Sequence, residues 1–256
     1  MKIKIPALVA GLALGGTLAL AATGVASANP TPNGPAGKGV CAVQAKTATS
    51  SPSLDALKAF GDCEIGRRLT TLNTQASRVS SSKVLTASDK TALSNEISST
   101  VSGLNSLKAT IDADTTLATL RSDVTKIATE FRVYLLVVPQ INLVAASDAV
   151  AAIQPHFATI STDLAARIAA AQTAGKDVTA AQAALDAMNA KVSAAAGLAN
   201  GLPAKLLPLT PADYNAGTAG PVLNSARSNL GQARLDLRAA VTDAETCRAA
   251  LRAIGA

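Results

Sequence analysis

The chain encodes an all-α protein. Three observations carry that reading. Apolar residues recur at alternating spacings of three and four along most of its length, which is the period of a helix stripe. Strand-like alternation is missing. Alanine, serine, threonine and leucine dominate, and alanine-rich stripes let helices approach closely. The arrangement predicted from these stripes is an elongated antiparallel bundle: two three-helix bundles sharing one long central helix kinked near Pro139.

The central stretch runs from Leu117 to Ile168. Leu117, Leu120, Val124, Ile127, Phe131, Tyr134 and Val138 form an unbroken heptad seam. Asp114 is placed to cap it with its carboxylate. From Val133 to Val138 the chain is apolar on every side, so this turn is predicted to be the most buried point. Pro139 follows, where a lost hydrogen bond and a steric clash predict a kink or a break. The seam resumes at Ile141, Ala145, Ile153, Phe157, Ile160, Leu164 and Ile168. A rival layout is one compact bundle in which the chain reverses at Pro139.

The remaining helices are read in order. The first starts near Ser53, with Ile65, Leu69, Leu72, Ala76 and Val79 as its seam. The second starts after Thr86 or Ser88, with Thr86 and Asp89 as a weak capping box. It carries Leu93, Ile97, Val101, Leu104, Leu107 and Ile111. After the central pair, Gly175 suits a helix end and Asp177 a cap. The next helix holds Val178, Ala181, Leu185, Met188, Val192, Ala195 and Ala199. Four prolines interrupt residues 200–221, where Thr210-Pro211 marks one short helix. The last helix is the most regular, with Leu223, Ala226, Leu230, Ala233, Leu237, Ala240, Ala244, Cys247, Leu251 and Ile254. The expected organisation is therefore a signal peptide at 1–28, a flexible arm at 29–52, an N-terminal bundle at 53–138, and a C-terminal bundle at 139–256 with its Pro/Gly-rich connection at 200–221.

Lys2 and Lys4, the apolar run Ile5–Ala22 and the small-x-small triplet Ala26-Ser27-Ala28 read as a secretory leader cleaved after Ala28. No lipobox precedes Cys41, and no second apolar run is expected to span a bilayer. The location that follows is secreted or extracytoplasmic. The leader holds two of the 23 basic residues and none of the 17 acids, so the mature net charge is +4. That surplus is far below the dense basic patch of a nucleic-acid binder. Three Phe, two Tyr and no Trp leave few stacking platforms for sugars or single strands.

Several candidate sites have ordinary structural roles. His156 is the only histidine; a triad needs a nucleophile and an orienting acid around it, and the neighbours Pro155 and Phe157 suggest a helix-surface residue near the seam instead. Asp112 and Asp114 resemble the start of a calcium loop, but Leu117 stands where the sharp turn needs glycine. Helix capping explains both. Asp62, Glu64, Arg67 and Arg68 read as ion pairs on a solvated helix face. Three cysteines outside the cytoplasm imply one bridge and one thiol. Cys41–Cys63 is the leading pairing, between an arm and an outward position. Cys63–Cys247 is the alternative, and it needs the compact layout. Arg227, Arg234, Arg238, Arg248 and Arg252 fall along one flank of the last helix. They form a solvated flank, or a weak dock for anionic polymers or lipid headgroups. No cofactor, metal or catalytic residue is expected.

Several stretches resemble a family of exported, alanine-rich helical proteins of actinobacteria. They are Asp62-Cys63-Glu64-Ile65 with Arg67-Arg68-Leu69, Ile111-Asp112-Ala113-Asp114-Thr115, Arg132-Val133-Tyr134 with Val137-Val138-Pro139, and Leu209-Thr210-Pro211-Ala212-Asp213-Tyr214-Asn215. The resemblance implies a secreted helical protein and assigns no activity. The function expected is a non-enzymatic spacer or interaction protein at the cell envelope, its partner unknown. The alternative is an extracytoplasmic carrier of an apolar ligand such as a lipid.

Overall fold

A computed structural model describes residues 39–256, and every regular element in that range is helical. The leader at 1–28 and the arm up to residue 38 lie outside the described residues. The rest of the expected flexible arm is not extended. Ala42–Ser50 forms helix α1, and Cys41 at its start is buried. A disulfide from Cys41 to Cys63 ties α1 to the next helix, which explains order where composition suggested none.

Helix α2 spans Leu54–Ser81, and the Ser53 hydroxyl accepts from the Ala56 amide. Its buried face is Leu57, Gly61, Ile65, Arg67, Arg68, Thr71, Leu72, Gln75 and Val79. Arg68 and Gln75 thus stand where Leu69 and Ala76 were expected, because the stripe leans one residue toward its partners. Helix α3 spans Ala87–Ala113, capped by Thr86 through the Asp89 amide. Thr100 is buried in place of Val101. Helix α4 covers Leu117–Thr129, and its cap is Thr116, whose hydroxyl accepts from the Thr119 amide. Asp114 instead closes the end of α3 with its backbone amide. Helix α2 packs on α1, α3 and α4, and α3 packs on α4.

The seam does not build one helix. Helix α4 stops at Thr129, well before Pro139. Arg132 takes a left-handed conformation, φ 44° and ψ 34°. A non-glycine side chain there costs about 1 kcal/mol or more. A π-helical turn, Val133–Val137, follows, and its amides at Leu135, Leu136 and Val137 share the Arg132 carbonyl. Helix α5, Val138–Thr173, then begins. Pro139 therefore does not break the chain: it follows directly on the π turn, whose last bond runs from the Val138 amide to the Val133 carbonyl. In the hexapeptide, Val133, Leu136 and Val137 are buried, whereas Tyr134, Leu135 and Val138 are half-buried.

Helix α5 ends at Gly175 (φ 71°), where the Lys176 amide reaches the Ala171 carbonyl. The Asp177 carboxylate accepts from the Thr179 amide before α6, Thr179–Ala199. Two short helices follow, α7 at Leu202–Leu206 and α8 at Pro211–Asn215. Thr210 and Asp213 close a full capping box on α8. The last helix, α9, is Ala219–Ala253. It starts before the expected residue because Pro221 is tolerated in a first turn.

The chain divides into two units. Among the described residues, one holds 39–145 and 203–224; the other holds 146–202 and 225–256. The division expected from the sequence lies at 138/139. The boundary falls after Ala145, and the Pro/Gly-rich connection belongs largely with the N-terminal helices. There the Gln140 side-chain amide donates to the Leu206 and Leu209 carbonyls, which anchors that connection. In the other unit, α9 buries Ala226, Leu230, Ala233, Leu237, Ala240, Ala244, Cys247 and Leu251 in the expected order. Ser147 Oγ donates to the Ala199 carbonyl, Lys191 pairs with Asp236, and Arg167 reaches the Ala256 carbonyl. These bonds link α5 to α6, α6 to α9, and α5 to the C-terminus.

Two helix glycines give opposite expectations. A Cβ at Gly66 would meet nothing within 4 Å, whereas one at Gly103 would lie 2.5 Å from the Phe131 ring. Gly66→Ala is expected to stabilise by about 0.5–1 kcal/mol through helix propensity. Gly103→Ala is expected to destabilise, since the ring must be displaced from its seat. Thermal melts of both variants check this. A higher Tm for Gly103→Ala would mean that Phe131 does not pack there.

Candidate functional site

The chemistry of the first unit gathers on both sides of the left-handed residue. On one side are α2 side chains around Tyr134. The Arg67 guanidinium lies 4.6 Å from the ring centroid, and that of Arg68 lies at 5.3 Å. Both arginines pair with the single carboxylate of Glu64, Arg67 at 2.6 Å. Thr71 Oγ1 stands 3.3 Å from the Tyr134 hydroxyl. The arginine side chains are only 5% and 9% exposed, so this is not the solvated face expected from the sequence. Helical spacing of 64, 67 and 68 does put the three on one face. That face turns inward because Tyr134 offers a π surface to cover the cations. Burial alone would push the Glu64 carboxyl upward. The hydrogen bonds from Arg67 and then Arg68 outweigh it and hold the group below its ordinary value.

On the other side are groups from α8. Arg132 Nε donates to Asn215 Oδ1 at 2.7 Å, and its guanidinium lies 5.2 Å from the Tyr214 ring centroid. The Asn215 amide nitrogen donates to the Thr129 carbonyl at 2.9 Å. One asparagine thus satisfies the open end of α4 and holds the residue that breaks the seam. The Thr210 hydrogen bonds keep the Asp213 carboxyl below its usual range, consistent with its capping role. Spacing along the chain gave no signal for the pairings, which join residues more than sixty positions apart.

Asp62 pairs with Lys108 of α3, which also pairs with Asp112. His156 is half-buried on α5. Among the described residues no group of three or more His, Cys, Asp or Glu side chains is placed to hold a metal ion. Cys247 is a free thiol, fully buried on α9, and burial pushes its pKa upward. The pairing of Cys63 with Cys247 is thereby excluded in favour of Cys41–Cys63.

The arginine flank lies on α9 in the second unit. Arg238 and Arg252 are exposed, and Arg227, Arg234 and Arg248 are half-buried. Of the acids that interrupt this charge, Asp236 is buried and paired with Lys191. Leu117–Thr173 contains an 18-residue window of mean hydropathy 1.6, long and apolar enough to cross a membrane by composition. The expectation of no second such run is corrected to that extent. Since 61% of the window is buried inside the protein, packing accounts for its apolarity. No family model, curated protein or solved structure matches this chain.

Proposed function

We propose that the chain is an exported, non-enzymatic helical protein that works at the cell envelope as a spacer or interaction module. The observation that carries this reading is the Cys41–Cys63 disulfide, which suits an oxidising compartment. The leader-like N-terminus and the resemblance to exported alanine-rich proteins support the same location. Helical surfaces, rather than a pocket chemistry, are the working part. The extended layout read from the heptad pattern belongs to this proposal and rests on the sequence alone. Small-angle scattering on a monomer separates about 17 Å for a compact chain from about 26 Å for a rod of helical rise.

Affinity capture from cell-wall and membrane fractions, followed by mass spectrometry, tests the proposal. A reproducible envelope component is the expected result. Mass spectrometry of the native protein bringing lipid with it would favour the apolar-ligand carrier instead. The α9 flank supplies one surface for an anionic partner. Replacing Arg227, Arg234, Arg238, Arg248 and Arg252 by Gln is expected to abolish a weak, salt-sensitive retention on anionic vesicles or teichoic acid. Unchanged retention removes that surface from the proposal.

A further inference from the structure

We propose that the break between α4 and α5 is a two-state joint latched by α8. While Asn215 and Tyr214 hold Arg132, the chain is broken. When they let go, residues 117–145 form one helix that passes through Pro139.

Four observations point to this. First, the heptad spacing at Leu117, Leu120, Val124, Ile127, Phe131, Tyr134 and Val138 continues across the break, so the local sequence is written for a continuous helix. No glycine or proline lies between Thr129 and Val138 to require a stop. Second, the left-handed conformation is confined to one residue. Glu130 is still right-handed, and Arg132 alone among the described non-glycine residues has a positive φ. Third, the residue under strain is the one that α8 holds, by a hydrogen bond to Asn215 and by the Tyr214 ring. Asn215 also occupies the Thr129 carbonyl, which a continuing helix would give to the amide of Val133. The latch therefore blocks propagation chemically as well as sterically. Fourth, the two forms differ in strain at Arg132 alone, since Pro139 follows a helical turn in both. Helix α5 already accommodates Pro155 in its interior. Since the strain is confined to Arg132, the contacts that α8 makes with it bias which form is occupied.

The latch is small and reachable. Helix α8 is a single capped turn, and Asn215 is exposed. Anything that lifts this turn would lengthen the helix in front of it, which is a way for a surface event to reach the first unit.

Distance measurement between spin labels tests the joint. Ala118 and Asn142 are exposed and belong to the same unit. Cysteines at these positions, in a Cys247→Ala background, report the path through the break. A helix through all 24 intervening steps would separate them by about 36 Å. The unaltered joint is expected to give one shorter distance. Tyr214→Ala with Asn215→Ala is expected to add a population near that length, with helicity by circular dichroism retained or raised. Adding Arg132→Gly is expected to remove the long population, because glycine takes the left-handed conformation freely. A folded double variant that keeps only the short distance would overturn the proposal. So would a double variant that loses helicity, since α8 would then be simple structural support.

Discussion

Leu136→Asp is expected to unfold the first unit. Leu136 is fully buried within the π turn, and an aspartate there would bury a carboxylate. Burying such a group costs at least about 4 kcal/mol, a large fraction of the stability of a domain. Leu136→Ala is expected to cost about 3 kcal/mol through the cavity it leaves. The half-buried neighbour Leu135 provides the contrast. Leu135→Ala is expected to cost less than about 1.5 kcal/mol. Urea denaturation followed by circular dichroism checks the order. Equal costs at 135 and 136 would mean that the turn does not have π register, since that register decides which side chains face inward.

Glu64→Gln is expected to cost about 3 kcal/mol at neutral pH. It leaves Arg67 and Arg68 buried against Tyr134 without the carboxylate that neutralises them, and removing one member of a buried charge cluster is far worse than never having it. The same group gives a pH dependence. Its folded pKa is lowered from 4.5, so its contribution is fully present above that value. The contribution falls away as pH drops through the lowered folded value. Glu96 acts with the opposite sign. Burial, only partly offset by the Thr100 hydroxyl, raises its pKa, so it favours the fold when protonated and loses that contribution as pH rises. The acid limb of a melting-temperature profile should therefore flatten in Glu64→Gln. A limb as steep as in the unaltered protein would place the acid sensitivity elsewhere.

Regular parts of the fold were legible because one residue type repeats at one period. Helix α9 buries Leu223 through Leu251 in the order that the spacing predicts. Ser53, Thr86, Asp177 and Thr210-Pro211 mark helix starts through local hydrogen bonds that need nothing from the rest of the chain. The break at Arg132 was not legible. Its cause lies some eighty residues away, in Asn215 and Tyr214, and the local seam argues for the opposite outcome. Pro139 predicts a kink or a break by its lost hydrogen bond, yet the chain passes from the π turn through Pro139 into α5. Arg67 and Arg68 were misplaced for a related reason. Charged residues at helical spacing usually face water, and only the position of Tyr134 turns these inward.

The most direct test of the broken seam is backbone NMR of residues 125–142. Cα secondary shifts and φ-dependent couplings report each residue's conformation. Expected are helical shifts through Thr129, a positive φ at Arg132, and helical shifts again from Val138. An uninterrupted helical pattern from Leu117 through Ala145 would contradict the break, and with it the placing of Arg132 by Asn215 and Tyr214.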